Sequence, residues 1–323
     1  MPILENDPWR MQYFEGVHCP DEVRIPTEDG DAYRWYPECR WVYNKLEVAE
    51  SQGFESGLHG IDPSAYPVFS KPVYNMRGMG TDSRVLRTEK EYRRYTRPGH
   101  FWMPLLTGEH ISTDVAVVSG EPRWWRHVTG VALEGGTFDY WTVHAEVRPE
   151  VEAYCGEWLR ANLGSYTGMV NFETIGARII EVHLRFADQW PDLYGRGWLD
   201  ALVGLYASGT WVFDDKDRRT GYSVVLFGAH GIQYRHPDAS LVEDIRRRPG
   251  VSSVQITFHE DKPPGAHAMP PGGFRLAIVN CWDLAVGMAA RQDLALAFWS
   301  TQTLLQRGRR RSASVPGAPA GER

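Results

Sequence analysis

Cysteine, long apolar runs and concentrated positive charge are all scarce in this chain, and each scarcity removes a class of protein. The four cysteines, Cys19, Cys39, Cys155 and Cys281, are widely scattered. That spacing suits neither a zinc knuckle nor a disulfide framework, so all four are expected to be reduced and mostly buried. No apolar run approaches the roughly 20 residues that a membrane span needs, and the N-terminus lacks a basic-then-apolar export signal. A cytoplasmic chain without a membrane partner is the expectation. The formal net charge is −6, and the longest basic run, Arg307 to Arg311, lies in the tail, which speaks against nucleic acid as a partner. Tryptophan, in contrast, is abundant at 13 residues in 323, suited either to a substrate pocket or to bulky core packing. The length corresponds to about two domains, with ample apolar content for a core.

The densest chemistry lies between Gly168 and Phe186. Val170-Asn171-Phe172 and Ile179-Ile180-Glu181-Val182 are rich in β-branched or aromatic residues, and Gly176 between them supplies a turn, so the segment reads as an antiparallel hairpin. Alternation with period two puts Glu181, His183 and Arg185 on one face. A three-residue loop would set Glu173 directly across from Glu181. Like charges on one rung destabilise a sheet, so such a pair is expected only where a cation or a proton relieves it.

Gly168-x-x-Asn171-x-Glu173 followed by Ile180-Glu181-Val182-His183-Leu184-Arg185 resembles the metal-binding hairpin of the ATP-grasp superfamily. The resemblance implies magnesium held by Glu173, Glu181 and the residue at position 183, with Arg185 on the transferred phosphoryl group. Here His183 stands in place of the family's Asn, and Leu184 in place of its Pro. Magnesium prefers oxygen ligands, so the imidazole either hydrogen-bonds to a phosphate or metal-bound water, or points to manganese.

Other stretches fit the same resemblance. Lys45 lies in a helical pattern that starts at Trp41 and ends at Gly53, similar to the family's first phosphate-reaching lysine. Tyr66 to Pro72 reads as a strand ending in Lys71, and Asn75 to Ser83 as a glycine-bearing loop whose Gly78 and Gly80 let backbone N–H groups approach phosphate oxygens. No Gly-Lys-Ser/Thr follows, so this is not a P-loop. Phe101 to Leu106 resembles the hinge between the two lobes, after which Glu109 takes the ribose role or stands in solvent. Arg126 and His127, in a strand with Trp124 and Trp125, are candidates to clamp an anionic substrate; the alternative is cation–π packing. A helix from Pro149 presents Val151, Cys155, Trp158, Leu159 and Asn162 on one face. Strands then recur from Gly221, and a helix spans about Asp283 to Leu296. His230, His259 and His267 are too loosely spaced to suggest a metal site.

Together these readings imply an α/β (α+β) ATP-grasp fold with two lobes clasping a nucleotide. The division is a short N-terminal segment at 1–40, a grasp domain at 41–218, a C-terminal α/β part at 219–306 resembling the biotin-carboxylase-like branch, and a disordered basic tail at 307–323. Residues 1–40, mostly loop, have no room for the larger domain with which the family commonly begins. By resemblance, the activity is an ADP-forming ligase with ATP and magnesium as cofactors. A small-molecule carboxylate would be activated as an acyl phosphate and joined to an amine or similar nucleophile. A non-catalytic ATP-binding protein and a kinase with a stable phosphorylated product are the alternatives. A homodimer is left open.

Overall fold

The computed structural model describes residues 8–75, 80–266 and 270–312. Among these the strands form two sheets. The smaller holds β1 (Gly57–Leu58), β2 (Val68–Pro72), β3 (Arg84–Leu86) and β4 (His100–Pro104), in the order β1-β4-β2-β3. The larger holds β5 (His110–Val118), β6 (Glu121–Ala132), β7 (Phe138–Val143), β8 (Gly168–Ile175), β9 (Arg178–His183), β10 (Gly221–Gly228), β11 (Val251–Ile256) and β12 (Phe274–Cys281). Its order is β11-β12-β10-β7-β6-β5-β8-β9, with antiparallel pairing throughout. The strands after Gly221 thus extend the same sheet as the hairpin β8–β9. Residues 105–109 link the two sheets.

Around the hairpin, period two divides the large sheet between two cores. Ile111, Val115, Val170, Phe172 and Val182 pack on the helix Pro149–Asn162 through its Val151, Cys155, Trp158 and Leu159, as the helical spacing predicts. Ala116, Trp124, Val128 and Met169 face the other way, onto Phe186, Trp190, Tyr194 and the helix Trp198–Ser208. There Trp124, Tyr194 and Trp198 stand with ring centroids 4.8–5.6 Å apart and planes tilted by 51–69°. Such tilted pairs add about 0.5–1.5 kcal/mol each beyond burial. For these residues packing, not pocket lining, is where the tryptophans go.

The N-terminal part is more ordered than its composition suggests. Residues 8–43 include helices Pro8–Met11 and Asp29–Trp35 and 3-10 turns Gln12–Phe14 and Arg40–Tyr43. The helix expected from Trp41 is broken at Asn44, whose Oδ1 accepts from the N–H groups of Leu46 (3.2 Å) and Glu47 (3.3 Å) and caps a new helix, Lys45–Glu50. Lys45 therefore opens a helix and is buried. At the other end, the last helix runs Leu284–Ser312, past the expected end at Leu296 and into the basic tail. Residues 313–323, like His267, lie outside the described residues. Cys39, Cys155 and Cys281 are buried and Cys19 partly so, all without disulfides. No helix among the described residues is long and apolar enough to cross a membrane.

Because the Asn44 cap starts the helix that carries Lys45, Asn44→Ala is expected to lower stability by about 1 kcal/mol, read as a shift of the urea midpoint. An unchanged midpoint would mean that packing alone starts this helix.

Candidate active site

The hairpin reaches the expected pairing by a different route. Ile175 faces Arg178 across a two-residue turn, Gly176-Ala177, with φ of +54° and +59°, the backbone that a twisted hairpin favours. The register then slips between Thr174↔Ile179 and Glu173↔Glu181, so Ile180 is a bulged extra residue. A side chain on Gly176 would meet the carbonyl of Thr107 at 2.3 Å. Glycine lets the link between the sheets lie on this turn, and Gly176 N–H donates to Glu109 O at 3.1 Å.

The rung Ser112–Glu173–Glu181 and the next rung, Asp114–Asn171–His183, share one face of the sheet. Cations meet both glutamates. Lys45 Nζ stands 2.6 Å from Glu181 Oε1, and His110 Nε2 stands 2.6 Å from Glu173 Oε2. Burial pushes Glu173 up and His110 more than offsets it, holding the carboxyl below its ordinary value. For His110, burial opposes the charge, but Glu173 and Glu181 outweigh it and raise the pKa. From the small sheet, Lys71 Nζ donates to the carbonyl of the bulged Ile180 at 2.7 Å. Burial, with Lys45 nearby, lowers Lys71 to about 7, Glu181 opposing.

Next on the same face, His183 Nδ1 lies 3.0 Å from Asp29 Oδ1, and Arg185 donates to Asp29 from Nε at 2.8 Å and Nη2 at 3.3 Å. Burial would raise Asp29, yet Arg185 and His183 hold it well below the usual carboxylate range. Asp188 is ion-paired to Arg10, with Arg275 and Arg185 also lowering its pKa against burial. Asp114, behind this row, is raised to about 6 by burial despite bonds from Tyr194 (2.6 Å), Ala187 N–H and Asn171.

Lys45, Lys71, Glu173, Glu181, His183 and Arg185 are thus brought together, while the other expected site residues do not join them, although Arg126 stands across from Asp114 on the same face of the sheet. Arg126 is fully buried, ion-paired to Asp215 at 2.7 Å, bonded to Tyr194 O, and close to the rings of Trp124 and Tyr194. Burial lowers its pKa to about 10. It has the packing role instead of a clamp's accessible fork. His127 points to the opposite face, between Thr113 Oγ1 (3.0 Å) and Glu152 (2.9 Å) of the helix Pro149–Asn162, so it cannot share a pocket with Arg126. Glu109 is exposed, 3.8 Å from Arg148 at the start of that same helix, away from the acidic rung. Gly80 has φ +58° in the turn before β3. Gly78 lies in 76–79, outside the described residues. His110 and the N-terminal residues Asp29 and Arg10 were not read as site residues. His110 had a signal, two residues before Ser112 on the Glu173 face. Asp29 had none, since only tertiary folding brings it to the hairpin.

No protein-family model matches this sequence, and no curated protein matches it. Solved structures do. The phosphoribosylamine–glycine ligase of Thermotoga maritima superposes with a TM-score of 0.59 at 13% identity, over 88% of this chain and 85% of that one. The L-amino acid ligase of Bacillus licheniformis gives 0.58 at 13%, over 89% and 82%. The N5-carboxyaminoimidazole synthase of Aspergillus clavatus, in complex with ADP and 5-aminoimidazole ribonucleotide, gives 0.55 at 11%, over 91% and 90%. This chain has the ATP-grasp fold.

In an ATP-grasp fold the acidic hairpin is where magnesium is expected, and the donor set can be tested against that ion. Among the described residues no three His, Cys, Asp or Glu side chains form a metal cage. Magnesium needs less than a cage, because it keeps waters and takes one or two carboxylates plus substrate phosphates. Glu173 and Glu181 supply two carboxylates on one rung. Glu173 Oε2 is buried, with His110 Nε2 at 2.6 Å. The pair fits that role. His183 Nδ1 is turned to Asp29, and its Nε2 lies 3.7 Å from Glu181 Oε1, so only Nε2 faces the glutamates.

The depressed pKa of Lys71 has a sign that can be checked. A lysine titrating near 7 when folded and near 10.4 when unfolded leaves the unfolded chain with more protons between those values, so stability rises with pH across that window. The unfolding free energy of the parent relative to Lys71→Met is therefore expected to increase from about pH 7 toward about pH 10. A difference independent of pH would show that Lys71 keeps its ordinary pKa.

Proposed function

We propose that this protein is an ADP-forming ATP-grasp ligase that activates a carboxylate as an acyl phosphate and joins it to an amine or similar nucleophile. The observation that carries the reading is the convergence of Lys45 and Lys71 on the rung of Glu173 and Glu181, with Arg185 on the same face. Lys45 and Lys71 would neutralise nucleotide phosphates, and Glu173 and Glu181 would hold magnesium, which supplies charge neutralisation to the phosphoryl group. Arg185 would meet the transferred phosphoryl group. Phosphoryl transfer asks a protein for positioning and electrostatics more than for covalent help, and paired cations and carboxylates on one rung support that reading. The names of the similar structures, a glycine ligase and an L-amino acid ligase among them, support a carboxylate and an amine as partners.

With Arg126 buried, we place the acceptor against the segment after Arg185, where Arg10, Arg185 and Arg275 surround Asp188. A carboxylate there would lie beside the phosphoryl group for in-line attack. One observation favours a second reading, a non-catalytic nucleotide-binding protein: Glu181 and Arg185 are already engaged by Lys45 and Asp29. The two readings part on ADP release.

Screening carboxylate and amine pools for ADP formation would find the substrates. With them in hand, Glu181→Gln is expected to cut ATP consumption by at least about 100-fold, the scale of losing a principal electrostatic element. Normal turnover by that variant would contradict the metal role. Binding of ATP with no ADP from any pool would favour the second reading.

A further inference from the structure

We propose that Asp29 is a positioning residue, a single carboxylate that sets the orientation of both His183 and Arg185 on the face that carries Glu181. The inference rests on the ligase reading of this site. Asp29 comes from the start of the helix Asp29–Trp35, remote in sequence from the hairpin, and is almost wholly buried. Its Oδ1 faces His183 Nδ1 at 3.0 Å and accepts from Arg185 Nε at 2.8 Å, while Oδ2 accepts from Arg185 Nη2 at 3.3 Å. Arg185 Nη1 donates to the carbonyl of Phe186 at 3.1 Å, which fixes the remaining edge of the guanidinium. Tyr43 joins the same knot: its hydroxyl donates to Asp29 Oδ1 at 3.4 Å and accepts from the Leu184 N–H at 3.2 Å, between the two oriented side chains.

An ionised carboxylate only accepts hydrogen bonds. Facing Asp29, His183 Nδ1 must carry the proton, so a neutral imidazole keeps its lone pair on Nε2, the nitrogen 3.7 Å from Glu181 Oε1. A carboxylate behind an imidazole is the usual way to fix the tautomer and ring plane of a histidine that works through its other nitrogen. A buried ion pair with Arg185 would need no imidazole. Sharing one carboxylate between both side chains locks their mutual geometry, which a phosphoryl-transfer site requires and a plain stabilising pair does not. An asparagine could not substitute, because its amide presents one acceptor and one donor edge to four donors.

The test compares the full-length parent with Asp29→Asn and Asp29→Glu. Ring nitrogen NMR shifts of His183 at alkaline pH report the tautomer, and steady-state kinetics with ATP report function. The parent is expected to show the proton on Nδ1, and Asp29→Glu to keep it. Asp29→Asn should shift the lone pair toward Nδ1 and lower kcat by about 30-fold or more, with the KM for ATP within about threefold. An unchanged tautomer and unchanged kcat in folded Asp29→Asn would reduce Asp29 to a structural ion pair. If that variant does not fold, a parent ring protonated on Nε2, or loss of the Nδ1 proton in Asp29→Glu, overturns the proposal. The tautomer needs no substrate. An Nδ1 proton in a parent that forms no ADP would therefore fail the ligase reading alone, whereas normal Glu181-dependent turnover with the wrong tautomer would fail this inference alone.

Discussion

Two carboxylates on one rung of a sheet repel each other, and much of the site's architecture answers that repulsion. Glu173 and Glu181 face each other across β8 and β9, where like charges cost stability unless something offsets them. The answer comes from three directions. Lys45 arrives from a capped helix, His110 from the neighbouring strand, and Lys71 from the small sheet, its ammonium on the carbonyl of the residue before Glu181. The Lys71 contact also ties the small sheet to the hairpin. Keeping such buried ion pairs is weak support for stability in itself, because desolvation takes back much of the attraction. Their retention makes better sense as a poised site for a cation and a phosphate chain, which would take over the same partners.

Much of this was legible from residue pattern alone. The hairpin could be read from β-branched runs around a glycine, and the helix Pro149–Asn162 from its spacing, because both signals are local. The exact turn could not: two left-handed residues and a bulge reach the same register as a three-residue loop, and only the bulge turns the Ile180 carbonyl into a partner for Lys71. Asn44 is a favoured capping residue type, and it breaks the helical pattern where its side chain caps Lys45–Glu50. Arg126 and His127 are both candidates to meet substrate by residue type, yet adjacent strand residues point to opposite faces. Period two alone separates them, and burial then gives each a neighbour in the core. Asp29 lay beyond any local reading, since its partners are more than 150 residues away in the chain.

The short N-terminal segment gains weight in this account. It folds back over the end of the hairpin and contributes Arg10 beside Asp188 and Asp29 beside Arg185. Specificity for the acceptor would then be divided between this segment, the residues after Arg185, and Arg275 on β12, all of which meet around Asp188 and Gln189. The tryptophans of the second core pack along the same face of the sheet.

The central claim is that the rung of Glu173 and Glu181 receives a magnesium–nucleotide complex. It is tested most directly by a crystal structure with magnesium and a non-hydrolysable ATP analogue. The account predicts the metal on both glutamates, the nucleotide between the small sheet and the hairpin, and Lys45 moved from Glu181 to a phosphate. A nucleotide bound elsewhere, or an unbroken Lys45–Glu181 pair with no metal on the rung, would contradict it.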